Sequence, residues 1–303
     1  MSATQLIFPL KPTTRLSGLA YGTMRSTRRG TGSDVASSRA YRPGDDVKAI
    51  DWRASAKLSL ARGAAEFVVR EHFADQAPRV VVLCDRSPSM SLFPQGWPWL
   101  SKPAASRSAL QLIDNSARAA QGYVGYLDHA DGAALWRPPK SQHTLEELDL
   151  DRPFGAPDDA LALGLEELLR HRSDLPLGTF VFVVSDFLPS PPRELWLRVV
   201  ARRWKVVPVV IQDRVWEQSF PDVGGIVMPF AHPRTGEPLD AELSDEEARE
   251  RREQNERRRA ELVRSLRALE LDPVLLDRED VRSALSAFLA WADRQLTARG
   301  RTW

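Results

Sequence analysis

Cysteine is almost absent from this 303-residue chain: Cys84 stands alone. That excludes an internal disulfide framework and a cysteine-based zinc site. Long hydrophobic runs are missing too. The longest, such as Val206 to Ile211, are strand-sized and far below the roughly 20 apolar residues of a membrane span. The start, MSATQLIFPLKP, has no basic segment followed by a long apolar core, so no secretory leader and a cytoplasmic location are expected. An excess of charge of one sign is also lacking. With 42 Lys/Arg against 41 Asp/Glu the formal charge is +1, and no overall field recommends nucleic acid as a partner. The five histidines show no metal-ligand spacing, no serine lies in a nucleophile elbow, and no glycine-rich loop ends in Lys-Ser/Thr. An intrinsic ATPase is therefore not expected.

What is present divides unevenly. Residues 1–80 carry 13 Lys/Arg against 7 Asp/Glu, while the remainder carries 29 against 34. The first part includes a Gly/Ser/Thr/Arg-rich stretch, Gly22 to Ser38, which reads as loops and short strands. From Arg79 onward apolar runs alternate with helical patterns. Val80–Cys84, Thr179–Val184 and Val206–Ile211 are continuous apolar runs, the pattern of strands buried on both faces. Between them Leu110, Ile113, Ala117 and Ala120 recur at helical spacing, and Pro157–Leu169 and Pro191–Arg203 read as further helices. Tyr123–Trp136 reads as a hairpin around Asp131-Gly132. Ser244 with Glu247 is a capping box opening a long charged helix. Val274–Leu276 reads as a short strand before an amphipathic final helix. Alternating strands and helices predict an α/β fold built on a mostly parallel sheet.

The most informative site is Asp85-Arg86-Ser87-Pro88-Ser89, an Asp-x-Ser-x-Ser directly after a buried strand. In open α/β sheets ligands bind beyond the carboxyl ends of the strands. A carboxylate and two hydroxyls on one loop are hard oxygen donors suited to Mg²⁺. Asp186 also follows a buried strand, and converges with Asp85 if the two strands are neighbours. The competing reading is that Asp85 and Ser87 only cap the loop and helix that follow. Cys84, inside an apolar strand, reads as an inert thiol.

The Asp-x-Ser-x-Ser loop and the later Ser185-Asp186 together resemble the metal-ion-dependent adhesion site of von Willebrand factor A domains. Upstream, the segment from Tyr41 to Ala56 (YRPGDDVKAIDWRASA) resembles the signature of the domain-of-unknown-function 58 family. The resemblance implies a Rossmann-like von Willebrand A-type parallel sheet of about six strands flanked by helices (residues 79–303). Before it comes an N-terminal extension, residues 1–78, of loops and short strands carrying the Tyr41–Ala56 signature. It further implies a non-catalytic interaction module that works with a MoxR-type AAA+ ATPase. By the same analogy Asp85, Ser87 and Ser89 hold Mg²⁺, Asp186 binds it directly or through water, and a partner carboxylate fills the open position. The pattern departs at one ligand: Pro157 falls where a Thr is expected, leaving Asp158 or Asp159 to substitute.

Two further segments carry partner-binding expectations. Arg42, Asp45, Asp46, Asp51 and Trp52 form either a docking element or a turn and ion-pair lattice with Trp52 packed on the core. The loop Phe93–Leu100 holds Trp97 and Trp99, which are costly to leave solvated and so are either buried or meet a partner. A Mg²⁺-dependent hydrolase or phosphotransferase using Asp85 and Asp186 is the alternative function. It needs a nearby Lys or His, for which the sequence offers no evident candidate.

Overall fold

A computed structural model describes residues 6–10, 20–93, 98–130, 132–140, 145, 152–231 and 238–299. In chain order, β1 (Ala20–Ala40), α1 (Trp52–Arg62) and β2 (Val68–Gln76) precede the main sheet. Then come β3 (Arg79–Cys84), α2 (Lys102–Ala119), β4 (Tyr123–Ala130), β5 (Ala133–Arg137), α3 (Ala160–Arg170), β6 (Phe180–Ser185), α4 (Arg193–Val200) and β7 (Lys205–Ile211). The chain closes with β8 (Ile226–Ala231), β9 (Pro238–Leu243), α5 (Asp245–Ala268), β10 (Val274–Leu276) and α6 (Val281–Arg299).

Six strands form one sheet in the order β10-β7-β6-β3-β4-β5, parallel except for β5, which runs antiparallel to β4. The central strands are continuous apolar runs because both faces are covered. Val80, Val82 and Cys84 point to the layer of α2 and α6. Val81 and Leu83 point to α3, α4 and the C-terminal half of α5, whose Leu262 and Leu266 dock there. Each such buried Val or Leu stabilises the fold by about 1.5–3 kcal/mol. Burial sets the Cys84 thiol pKa up to about 11, as suits an inert core thiol. The capping box is present: the Ser244 hydroxyl accepts from Glu247 N while Glu247 accepts from Ser244 N.

One feature differs from expectation. Gly22–Ser38 lies within one 21-residue strand, β1, rather than in loops and short strands. It pairs with β2 through four register shifts, so bulges replace the regular apolar alternation that a strand reading relies on. Phe8 and Leu10, far upstream of β3, belong to the main core. Phe8 stacks on Phe288 at 4.5 Å between ring centroids, and its amide donates to Ser116 Oγ. Outside the sheet, β8 and β9 make an antiparallel hairpin, and residues 232–237 between them lie outside the described residues.

Candidate functional site at the carboxyl edge of the sheet

Three neighbouring parallel strands end in acids. β3 delivers Asp85, β6 delivers Asp186, and β7 runs into a turn carrying Asp213 and Glu217. The convergence expected of Asp85 and Asp186 therefore occurs, where the connections leaving the neighbouring strands β3 and β6 pass to opposite faces of the sheet.

The loop after β3 is held by its own donors. Asp85 Oδ1 accepts from Ser87 N at 2.8 Å, and Oδ2 accepts from Ser185 Oγ at 2.7 Å. The Ser87 and Ser89 hydroxyls lie 3.1 Å apart, bonded to each other. Arg86 turns beneath the loop, where its guanidinium meets Asp128 and the Tyr126 hydroxyl and lies over the Phe154 ring. Its carbonyl accepts from Ala156 N at 3.1 Å, which draws the segment before α3 against the loop. Pro157 is half-buried there and offers no side-chain oxygen, and Asp158 is exposed in the turn rather than buried with Asp85 and Asp186.

The residue that sequence reasoning missed is Lys102, the first residue of α2. It is fully buried, and its ammonium donates to Asp186 Oδ2 at 2.7 Å and to Glu217 Oε1 at 2.5 Å. Asp186 Oδ1 accepts from Leu188 N, and Glu217 Oε2 accepts from Asp213 N. The α5 residues Asn255 and Arg258 hold the Glu217 turn in place by bonding Trp216 O and Glu217 O. Nothing local in the sequence marks Lys102 as buried, since its partners lie 84 and 115 residues away. A cation at the first position of a helix opposes the helix dipole, so a buried lysine there requires carboxylate partners.

Burial, then the charge of Asp186, pushes the Asp85 carboxyl above the usual carboxylate range. Burial pushes Glu217 up as well, against the pull of Lys102. For Lys102 burial alone would depress the pKa, but Asp186 and Glu217 outweigh it and keep the amine protonated.

These donors do not fit a divalent ion. A protonated amine already neutralises Asp186, and proline stands where a Thr oxygen was expected. Among the described residues no group of three or more His, Cys, Asp or Glu is arranged to hold a metal.

The other expected residues separate into two sets. Asp45 makes two 2.7 Å bonds to the Arg39 guanidinium and accepts from Arg42 N, which closes a turn. Asp46 caps the short helical turn at Val47–Ala49. Asp51 caps α1 through Ala54 N and pairs with Arg70. These three carboxylates build local structure. Trp52 is not packed on the core: it is 59% exposed and meets Phe67, itself 44% exposed, edge-on. Trp99 folds back onto Trp216 at 5.4 Å and Phe93 at 5.5 Å, while Trp97 lies outside the described residues.

Several known proteins are similar to this chain. Uncharacterized proteins of Mycobacterium tuberculosis and Mycobacterium bovis are 27% identical over 225 residues, which is 72% of this chain. The chain spans 66% of the length of these relatives. The crystal structure of the conserved hypothetical protein BatB from Bacteroides thetaiotaomicron aligns with a TM-score of 0.38 and 16% identity, over 73% of this chain and 99% of that one. A family model described as protein of unknown function DUF58 matches residues 37–262, most of the chain, from the end of β1 into α5. The chain belongs to the DUF58 family.

Proposed function

We propose that the protein is a non-catalytic interaction module that docks a protein partner on its N-terminal arm, with a MoxR-type AAA+ ATPase as the partner class to test first. The observation that carries this reading is the exposure of large apolar side chains on and around α1: Val47 at 58%, Trp52 at 59%, Leu60 at 86% and Phe67 at 44%. α1 buries only Ser55 against the rest of the molecule. Arg53, Lys57 and Arg62 share that helix, which has no acid, so an acidic partner surface suits it. Aromatic and arginine side chains around an apolar centre are the usual anchors of such interfaces. The ATPase is taken from the family resemblance, not from the geometry. Magnesium has no part in this reading.

The test is calorimetric titration of a MoxR-type ATPase with the wild-type chain, Trp52→Ala and Leu60→Asp. Binding lost in both variants, with unchanged melting temperatures, supports arm docking. Undiminished binding in both removes it.

A second reading, phosphoryl transfer at Asp85, draws on one observation: Lys102 beside Asp186 supplies the cation such chemistry needs. Against it, Asp186 and Lys102 are wholly buried, so a substrate has no access to them. Phosphoester turnover that disappears in Asp85→Asn would establish this second reading over the first.

A further inference from the structure

We propose that Lys102 is the resident cation of the carboxyl edge: its ammonium takes the charge-balancing place that the Asp-x-Ser-x-Ser resemblance gives to Mg²⁺, so the centre is metal-independent and closed to divalent ions. The inference does not depend on arm docking.

Four carboxylates crowd this edge, on Asp85, Asp186, Asp213 and Glu217, and all are buried. Buried carboxylates require compensation by a cation or by hydrogen-bond donors. Asp213 is satisfied by backbone amides: Oδ1 accepts from Val215 N and Trp216 N, and Oδ2 accepts from Leu100 N. Asp85 is satisfied by Ser87 N and Ser185 Oγ. Asp186 and Glu217 are the two that share a side-chain cation, and that cation is Lys102. A divalent ion drawing on Asp186 would face a fixed positive charge 2.7 Å from that carboxylate. The chain anchors the lysine from both ends. Its backbone amide donates to Leu92 O, and the carboxylate of Glu217 is held by Asp213 N.

The substitution of Thr by Pro157 belongs to the same arrangement. Pro157 withholds one oxygen donor from a metal, and an internal ammonium with two carboxylate partners has no use for it. One consequence concerns recognition. With no metal there is no open coordination position, so a partner carboxylate is not captured at this edge.

The experiment begins with wild-type protein titrated with MgCl₂ and MnCl₂ by calorimetry and melted in EDTA and in millimolar MgCl₂. No saturable heat and coincident melts are expected. Saturable sub-millimolar binding abolished by Asp85→Ala would overturn the proposal. Lys102→Ala comes next. It is expected to melt lower in EDTA and to recover by several degrees in millimolar MnCl₂, since a ligand that binds only the folded state raises its stability. The recovery should vanish in Lys102→Ala/Asp85→Ala. A Lys102→Ala protein that melts identically with and without manganese overturns the proposal, leaving Lys102 as a plain ion pair. Should Lys102→Ala emerge unfolded, refolding yield is the readout: manganese-dependent recovery supports the inference, and failure with and without manganese overturns it.

Discussion

The N-terminal arm and the carboxyl edge of the sheet both gather acids and bases within a few residues, and they differ in what surrounds them. On the arm, Asp45, Asp46 and Asp51 lie near solvent and close turns and helix ends, while Trp52 and Leu60 remain uncovered. At the edge, Asp85, Asp186 and Glu217 are buried with Lys102 and linked by side-chain and backbone bonds. Solvent makes the arm's ion pairs weak and leaves its apolar surface free to meet another protein. Exclusion of solvent makes the edge rigid and costly to disturb, which suits a structural centre better than an open binding site.

The comparison breaks most sharply at Lys102. Lys102→Met should cost about 3–5 kcal/mol, because it strands two buried carboxylates. An unfolding free energy from urea titration within about 1 kcal/mol of wild type would mean that the edge is solvated like the arm.

Packing offers the next contrast. A Cβ at Gly164 would lie 2.5 Å from Leu83 Cδ1 in the core under the sheet, so Gly164→Ala should destabilise by about 1–3 kcal/mol. On the arm, Trp52 is 59% exposed and meets Phe67 edge-on, so Trp52→Ala should change stability by less than about 1 kcal/mol while removing partner binding. Chemical denaturation of both variants beside the titration above checks this pair.

The pH response should have opposite sign in the two regions. Asp85 titrates higher in the folded protein than its ordinary value of 3.8. Its contribution is thus most favourable below 3.8 and is lost as the pH rises through the folded pKa. Asp85→Asn should therefore flatten that part of the stability profile, as denaturant midpoints from acid to neutral pH would reveal. Asp45 is lowered to about 2 by its bond from the Arg39 side chain and then by the Arg42 amide. Its contribution is present above 3.8 and is lost as the pH falls through about 2. The smallest effect follows: the Arg42 amide should lose exchange protection towards acid pH, and an Asp45→Ala protein should show no such acid-dependent loss.

Most elements of the sheet were legible because burial on both faces leaves continuous apolar runs. Val80–Cys84 and Thr179–Val184 match β3 (Arg79–Cys84) and β6 (Phe180–Ser185) to within one residue at each end. β1 was not legible, because bulged pairing removes the alternation by which a strand is recognised. Asp85, Ser87 and Asp186 were legible as a cluster, since each follows a buried strand directly. Lys102 and Glu217 were not, lying 84 and 115 residues from the groups they join. Trp52 shows the limit in the other direction: an aromatic in a motif reads as core, yet α1 has little to pack against.

By itself the sequence determined the α/β class, the positions of most strands and helices, and the presence of acids at strand ends, because periodicity and turn chemistry act over a few residues. The tertiary structure alone decided which strands are neighbours and which acids share a cation. It also decided which aromatics stay in water. Those outcomes depend on burial and on charges brought together from distant parts of the chain, and local pattern carries no record of either.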